Sequence, residues 1–272
     1  MTIQRVSKKG PVGSKGLSPV TSQGMSTQDL VDYLAKSMSV AGFKDYCPNG
    51  LQVEGKRQIQ KLAFAVTASQ NAIDMAASWG ADALLVHHGL FWRGDDAIIV
   101  GIQKRRIQAL LKAEINLLAY HLPLDVHKQW GNNAALGEQL QLKNSKPISA
   151  DGLIWAAKLA APLNAKSLAI RLQQRLGRAP LIVGNLDRSI KTIAWCTGGA
   201  QGYLDQAIAL GADAYISGEI SEQTTHLARE SGVIFAAAGH HATERYGVQA
   251  LATHLSDRFK LDCRFFDDDN PA

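Results

Sequence analysis

A chain of 272 residues with 46% hydrophobic and 19% charged residues has an ordinary globular composition, long enough for one large or two modest cores. It contains no apolar run near the roughly 18 residues of a membrane span, and no signal-like apolar stretch opens it, so a cytoplasmic protein with no membrane partner is expected. The net charge of +5 is concentrated: Arg5, Lys8, Lys9 and Lys15 precede the first acidic residue, Asp29, so residues 1–25 carry +4 and the body is close to neutral. A basic nucleic-acid footprint on the body is thereby excluded.

Residues 1–25, rich in Gly, Ser and Pro, read as a disordered basic tail, with Met25 available as an alternative start. Ser26 is placed to cap a helix over 27–38, with Asp29 at its third position. A turn-rich stretch follows at 46–50. A strand over 62–67, a helix over 70–80 and a strand over 83–87 come next. A helix over 102–114 then leads to a strand over 115–120. This alternation argues for an α/β sheet with helical cover. Cys47, Cys196 and Cys263 are too scattered for a disulfide framework or a zinc motif and read as small core hydrophobes, which suits a reducing compartment.

The rhythm then returns. Leu62-Ala-Phe-Ala-Val-Thr-Ala-Ser-Gln70 lies over Ile193-Ala-Trp-Cys-Thr-Gly-Gly-Ala-Gln201, and Gly80-Ala-Asp-Ala83 over Gly211-Ala-Asp-Ala214, without a gap. A repeat this long is a duplicated domain rather than a solenoid. The expected organisation is a first α/β half over 26–130 and a second over 131–272. The last helix and strand are free to pack on the first half. The two halves are related by an approximate two-fold, with the functional site in the cleft between them. The stretch 131–191, with apolar segments at 153–160 and 168–176, reads as the opening of the second half.

Six of the eight histidines fall in three segments. His87-His88 ends a buried strand, where ligands bind in α/β sheets and neighbouring side chains point apart. His121, Asp125 and His127 follow the next strand; Pro123 favours a tight turn there. His240 and Glu244 share one helical face at i, i+4. The repeat puts His121-x3-Asp125 and His240-x3-Glu244 in equivalent places, and puts Gly218-Glu219 where the first half has His87-His88. Imidazole and carboxylate without thiolate suit zinc, iron, manganese or nickel. More donors than one closed site needs predict two ions sharing a carboxylate and an activated water, hence hydrolysis without a protein nucleophile. Between a strand and a helix, Cys196-Thr-Gly-Gly-Ala-Gln-Gly202 offers Gly198 and Gly199 as an anion cradle, although it lacks the lysine of a P-loop.

Asn49-Gly-Leu-Gln-Val53, His87-His-Gly-Leu-Phe-Trp92, Tyr120-His-Leu-Pro-Leu-Asp125, Ser217-Gly-Glu219 and Gly239-His-His-Ala-Thr-Glu244 together resemble the GTP cyclohydrolase I type 2 homologue family, the NIF-three-like proteins, from about Ser26 to Ala272. The resemblance implies a duplicated α/β fold, a dinuclear centre held by His87, His88, Asp125, His240 and a bridging Glu244, and a homo-hexameric ring of dimers. It places His121, His127 and His241 next to the ligands as orienters or proton carriers. Glu219 is the general-base candidate and His121 its partner in catalysis. The family name implies hydrolytic ring opening of GTP, so the expected activity is metal-dependent hydrolysis of a nucleotide-like substrate. The rival readings are a metal-bearing interaction protein without turnover, and a ring threading single-stranded nucleic acid, which the near-neutral body disfavours.

Overall fold

The computed structural model describes residues 24–272; the expected tail over 1–25 therefore lies almost wholly outside the described residues. In chain order the first elements are β1 (Met25–Ser26), α1 (Thr27–Ser37), β2 (Gly50–Val53), β3 (Gln58–Ile59), β4 (Lys61–Thr67), α2 (Gln70–Trp79), β5 (Ala83–His88), α3 (Gly101–Lys112), β6 (Asn116–Ala119) and α4 (Leu122–Val126). They continue as α5 (Asn132–Gln139), β7 (Lys146–Pro147), β8 (Trp155–Asn164), α6 (Ala165–Leu176), β9 (Leu181–Val183), β10 (Ser189–Trp195), α7 (Leu204–Ala209), β11 (Ala214–Ser217), α8 (Glu222–Ser231), β12 (Ile234–Ala237), α9 (His240–Phe259) and β13 (Asp262–Phe265). The fold is mixed α/β. None of the helices among the described residues is long and apolar enough to cross a membrane.

Local chemistry explains the boundaries. Ser26 caps α1 by accepting from the Asp29 amide at 3.0 Å, and Ser69 does the same for α2 through Ala72. Gly80 ends α2 in the left-handed conformation (φ 73°) that costs glycine little. Strand β4 alternates: Leu62, Phe64 and Val66 join the core under α1 and α9, whereas Ala63 and Ala65 face α2 and α3. Pro123 does not break its segment as expected. It sits in the first turn of the short helix α4, where its missing N–H would have had no partner in any case.

Two larger sheets carry the fold. One has the order β13-β4-β5-β6-β2, with β4, β5, β6 and β13 parallel and β2 antiparallel. The other has the order β7-β8-β10-β11-β12-β9, with β10, β11 and β12 parallel. In the first sheet Leu62 pairs with Ala83; in the second, Ile193 pairs with Ala214, at the same spacing that links the repeated segments. The repeated Gly-Ala-Asp-Ala has a structural cause. Asp82 Oδ2 accepts from the amides of Gln60 and Lys61, and Asp213 Oδ2 accepts from those of Lys191 and Thr192. Asp82 thus holds the start of β4, and Asp213 holds β10 where its pairing with β8 shifts register. After β12 the chain leaves the second sheet: α9 packs Val248, Leu251 and Leu255 into the first sheet's core, and β13 adds to that sheet's edge beside β4.

Candidate metal centre

The carboxyl ends of β5 and β12, with the first turns of α4 and α9, converge on one buried point. His87 is fully buried. Its Nδ1 meets the Tyr120 carbonyl at 3.0 Å, which leaves Nε2 facing Asp125 Oδ1 at 3.5 Å and Glu244 Oε1 at 3.4 Å. His88 turns the other way along the strand, as the period of two requires. Its Nδ1 meets Thr67 Oγ1 at 3.0 Å and its Nε2 lies 3.3 Å from Glu244 Oε2. His240 Nε2 lies 3.3 Å from the same oxygen, one helical turn away, and its Nδ1 meets Glu219 Oε1 at 2.6 Å.

Of the donor triads among the described residues, two, His87–Asp125–Glu244 and His88–His240–Glu244, have Glu244 in common. The fit to metal can be tested on buried polar atoms. His87 Nε2 and Glu244 Oε2 are buried and make no hydrogen bond. Such atoms cost free energy unless something satisfies them, and a cation does so for an imidazole lone pair and a carboxylate together. The residues present fit a divalent metal cation.

The electrostatics are those of a site built for positive charge. Burial alone would hold His87 neutral, but the carboxylates of Asp125 and Glu244 outweigh it and push the imidazole up to about 9. Burial, joined by His87, His240 and His121, outweighs Glu244 and drives His88 down to about 3. Burial opposes ionisation of Glu244, yet His87 and His88 hold it well below the carboxylate range. Asp125 is raised by burial and by Glu244. Burial would lower His240, but Glu244 and Glu219 carry it to about 9.

The remaining expected residues are placed as follows. Glu219 is not part of the cavity wall; it stands behind His240, occupied with its Nδ1. His121 Nδ1 meets Asp45 Oδ1 at 2.7 Å, and its ring centroid lies 4.9 Å from that of His87. Asp45 also accepts from the amides of Tyr46 and Leu122 and from Asn49; burial would raise its carboxyl, but His121 above all, with Asn49 and the Tyr46 amide, lowers it to about 2. Two expected neighbours of the ligands are elsewhere. His127 stacks on Trp130 at 3.4 Å between ring centroids, and His241 turns away to Asp267 Oδ1 at 2.9 Å. The helix turn after His240 explains the latter: consecutive residues point about 100° apart.

The Gly198–Gly199 loop also differs from the expected cradle. The amides of Thr197, Gly198 and Ala200 are taken by Asn133, Thr243 and Ser217 respectively. Gly198 serves clearance instead: at φ 68°, a Cβ there would collide with Glu244 Oε1. Gly199 does line the cavity that opens on the outer triad. That cavity holds about 620 Å³, and its walls come from segments of both sheets.

Sequence reasoning missed the supports. Asn132 donates to Asp125 Oδ1 at 2.9 Å, Asn133 donates to the Asp125 carbonyl, and both are fully buried. Two adjacent asparagines opening an apolar helix were the available signal. Thr67 and Asp45 had none, because they reach the site only through sheet pairing and turn packing.

A model of the Duf34/NIF3 (NGG1p interacting factor 3) family matches residues 25–271. The chain belongs to this family. Relatives named GTP cyclohydrolase 1 type 2 homolog include one from Allochromatium vinosum, 52% identical and covering 90% of this chain and 97% of its own. Another, from Escherichia coli K12, is 45% identical over 91% and 100%. Among solved structures, the protein ybgI, described as of unknown function, superposes with a TM-score of 0.87 at 45% identity, covering 91% of this chain and all of its own. TTHA1606 from Thermus thermophilus gives 0.81 at 37%, with the same coverage.

Proposed function

We propose that the chain is a dinuclear-metal hydrolase acting on a nucleotide-like substrate. The observation that carries this reading is the shared carboxylate: Glu244 closes two donor triads whose unsatisfied atoms are buried, and a cavity adjoins the outer triad. In this reading His87, Asp125 and Glu244 hold one divalent cation and His88, His240 and Glu244 the second, from among zinc, iron, manganese and nickel. Bound there, the metal would supply Lewis acidity and lower the pKa of water towards neutrality.

The chain's own residues do the rest. Tyr120 and Thr67 fix the rings of His87 and His88 by their Nδ1 atoms, and Glu219 fixes His240, so each presents Nε2. Asp45 fixes the proton of His121 on Nδ1, which leaves Nε2 free to accept a proton beside His87 and His88. Glu219 therefore orients a ligand, and the base role falls to His121. Gly199 is left as the backbone amide for an anionic group. Ring opening of the cyclohydrolase kind is the form of hydrolysis suggested by the relatives' name.

We also read the two larger sheets as copies of one α/β unit related by an approximate two-fold, with the boundary near residue 131 and the centre in the cleft between them. The matched registers and the paired roles of Asp82 and Asp213 support that reading. A homo-hexameric ring and a cytoplasmic location complete it. A metal-bearing interaction protein without turnover is the second reading. The exposed run Ile98, Ile99, Val100 and Ile102 favours it, as it favours self-association.

The test is a turnover screen on protein loaded separately with each metal, offered GTP, other nucleotides and phosphoesters, with metal content measured alongside and Glu244→Ala as control. Turnover that follows occupancy and disappears in the control supports the hydrolase. Two bound metals with no turnover of any compound would transfer the case to the interaction protein.

A further inference from the structure

The cavity beside the triads has two chemically different ends. Its deep end holds Glu244 and Asp125, both buried, with His88 and His240. Its outer wall is aromatic and apolar: Tyr46, Trp92, Tyr203 and Leu153. Tyr46 is 59% exposed, yet it is held in place. Its amide binds Asp45, and the Arg93 guanidinium lies 5.9 Å from its ring centroid. Trp92 and Tyr46 both meet His121 edge-on, at 5.1 Å and 6.4 Å between centroids. Tyr203 enters from the other sheet's side, and burial, with Cys196, Asp151 and Tyr46 near it, raises its phenol.

Among the described residues that line this cavity there is no lysine or arginine. Arg93 stands at the rim, and its Nη2 already donates to the Asp45 carbonyl at 2.7 Å. A nucleotide entering base first would put its ring against imidazoles and carboxylates. Its phosphates would then lie along Trp92, Tyr203 and Leu153 with no cation in the wall, an uncompensated burial of charge. The opposite orientation matches charge to charge and ring to ring.

We propose that a nucleotide enters this cavity phosphate first, its phosphoryl group at the His88–His240–Glu244 end and its base stacked on Tyr46 and Trp92. The inference rests on the dinuclear reading above and narrows its substrate class from nucleotides in general to nucleotide phosphoesters, in place of a purine ring to be opened. In this pose the bond presented to the deep end is the P–O ester bond. Water adds its hydroxyl to phosphorus and its proton goes to the departing alcohol oxygen, giving an alcohol and a phosphate. Base stacking on an aromatic side chain is sequence-tolerant and changes affinity by roughly tenfold per ring, so the choice of base is loose.

The experiment uses the full chain loaded with manganese, GMP as probe, and the same manganese concentration with Glu244→Ala to subtract binding of free metal to the nucleotide. Paramagnetic broadening of the GMP phosphorus beyond that of its H8 proton is expected; broadening of H8 beyond phosphorus overturns the orientation while leaving the dinuclear reading intact. A wild-type protein that retains neither manganese nor, loaded in its place, zinc, iron or nickel by elemental analysis fails the dinuclear reading, and the orientation falls with it. In parallel, Tyr46→Ala and Trp92→Ala are expected to weaken GMP roughly tenfold each while inorganic phosphate, competing for the same site, binds as in wild type. Unchanged GMP affinity in both variants overturns the stacking, and the retained phosphate affinity shows that the variants are folded.

Discussion

The ends of β5 and β11 occupy the same place in their sheets, yet one presents His87-His88 and the other Gly218-Glu219. The difference is one of room. At β5 the space beyond the strand is open to side chains, and two imidazoles fill it. At β11 the first turn of α9 comes so close that a Cβ on Gly218 would lie 2.6 Å from His240 Cα and 2.7 Å from the Gly198 carbonyl oxygen. The end of β11 carries no imidazole, and the helix that crowds it brings in two donors, His240 and Glu244. Glu219, the next residue, then steadies the imidazole that the helix delivers. Two donor triads that share one carboxylate thus come from two unlike strand ends.

The largest expected effect removes what the two ends share. Glu244→Ala is expected to abolish both metal positions, so that elemental analysis finds neither; retention of one metal would show that the deep triad stands without its bridge. Next comes the clearance itself. Gly218→Ala should push the start of α9 outward, at a cost of about 1–3 kcal/mol in denaturant unfolding. It should also lose metal from the His240 side while the His87 side keeps its own. An unchanged midpoint with full metal content would mean that the helix has slack the structure does not show.

Smaller still is the loss of orientation. Glu219→Ala should weaken the outer metal by roughly 10–100-fold and leave the deep one alone; a titration with equal effect on both would break the contrast between the ends. The gentlest probe is pH, applied to metal-free protein. His87 and His240 are pushed up to about 9, so the stability they contribute is complete below their ordinary value near 6.5 and is lost as pH rises through 9. His88 is driven down to about 3, so its contribution is present above 6.5 and fades as pH falls towards 3. Thermal unfolding should therefore be highest near pH 6.5 and fall by several degrees towards pH 9. A midpoint that climbs over that range would contradict the charge assignment. Bound metal should flatten the alkaline side, because it replaces the protons that are being lost.

Much of this was legible in the chain itself. The buried composition of residues 83–86 marked a strand, and the alternating direction of side chains along a strand implied that His87 and His88 diverge. Ser26 and Gly80 marked helix ends through hydrogen bonding and backbone freedom. The i, i+4 spacing put His240 and Glu244 on one face, and the repeated Gly-Ala-Asp-Ala marked two strands that pair in the same register with the strand before them. These features are local, set by the period of a strand or helix and by the partners a backbone amide needs within a few residues.

Tertiary structure alone decided what lies across gaps in the chain. His127 and His241 are close in sequence to the ligands yet turn away, one stacked on Trp130 and the other paired with Asp267, because a side chain's direction depends on what packs against it. Gly198 resembles a phosphate loop in sequence, but the approach of Glu244, 46 residues on, makes it a clearance. Asp45 and Thr67 carry no sign of their roles until the turn before β2 and the strand β4 bring them to His121 and His88. Spacing along the chain fixes which donors can share a face. Only the packing of one sheet's elements against the other's fixes which of them meet, since that meeting is a matter of distance through space.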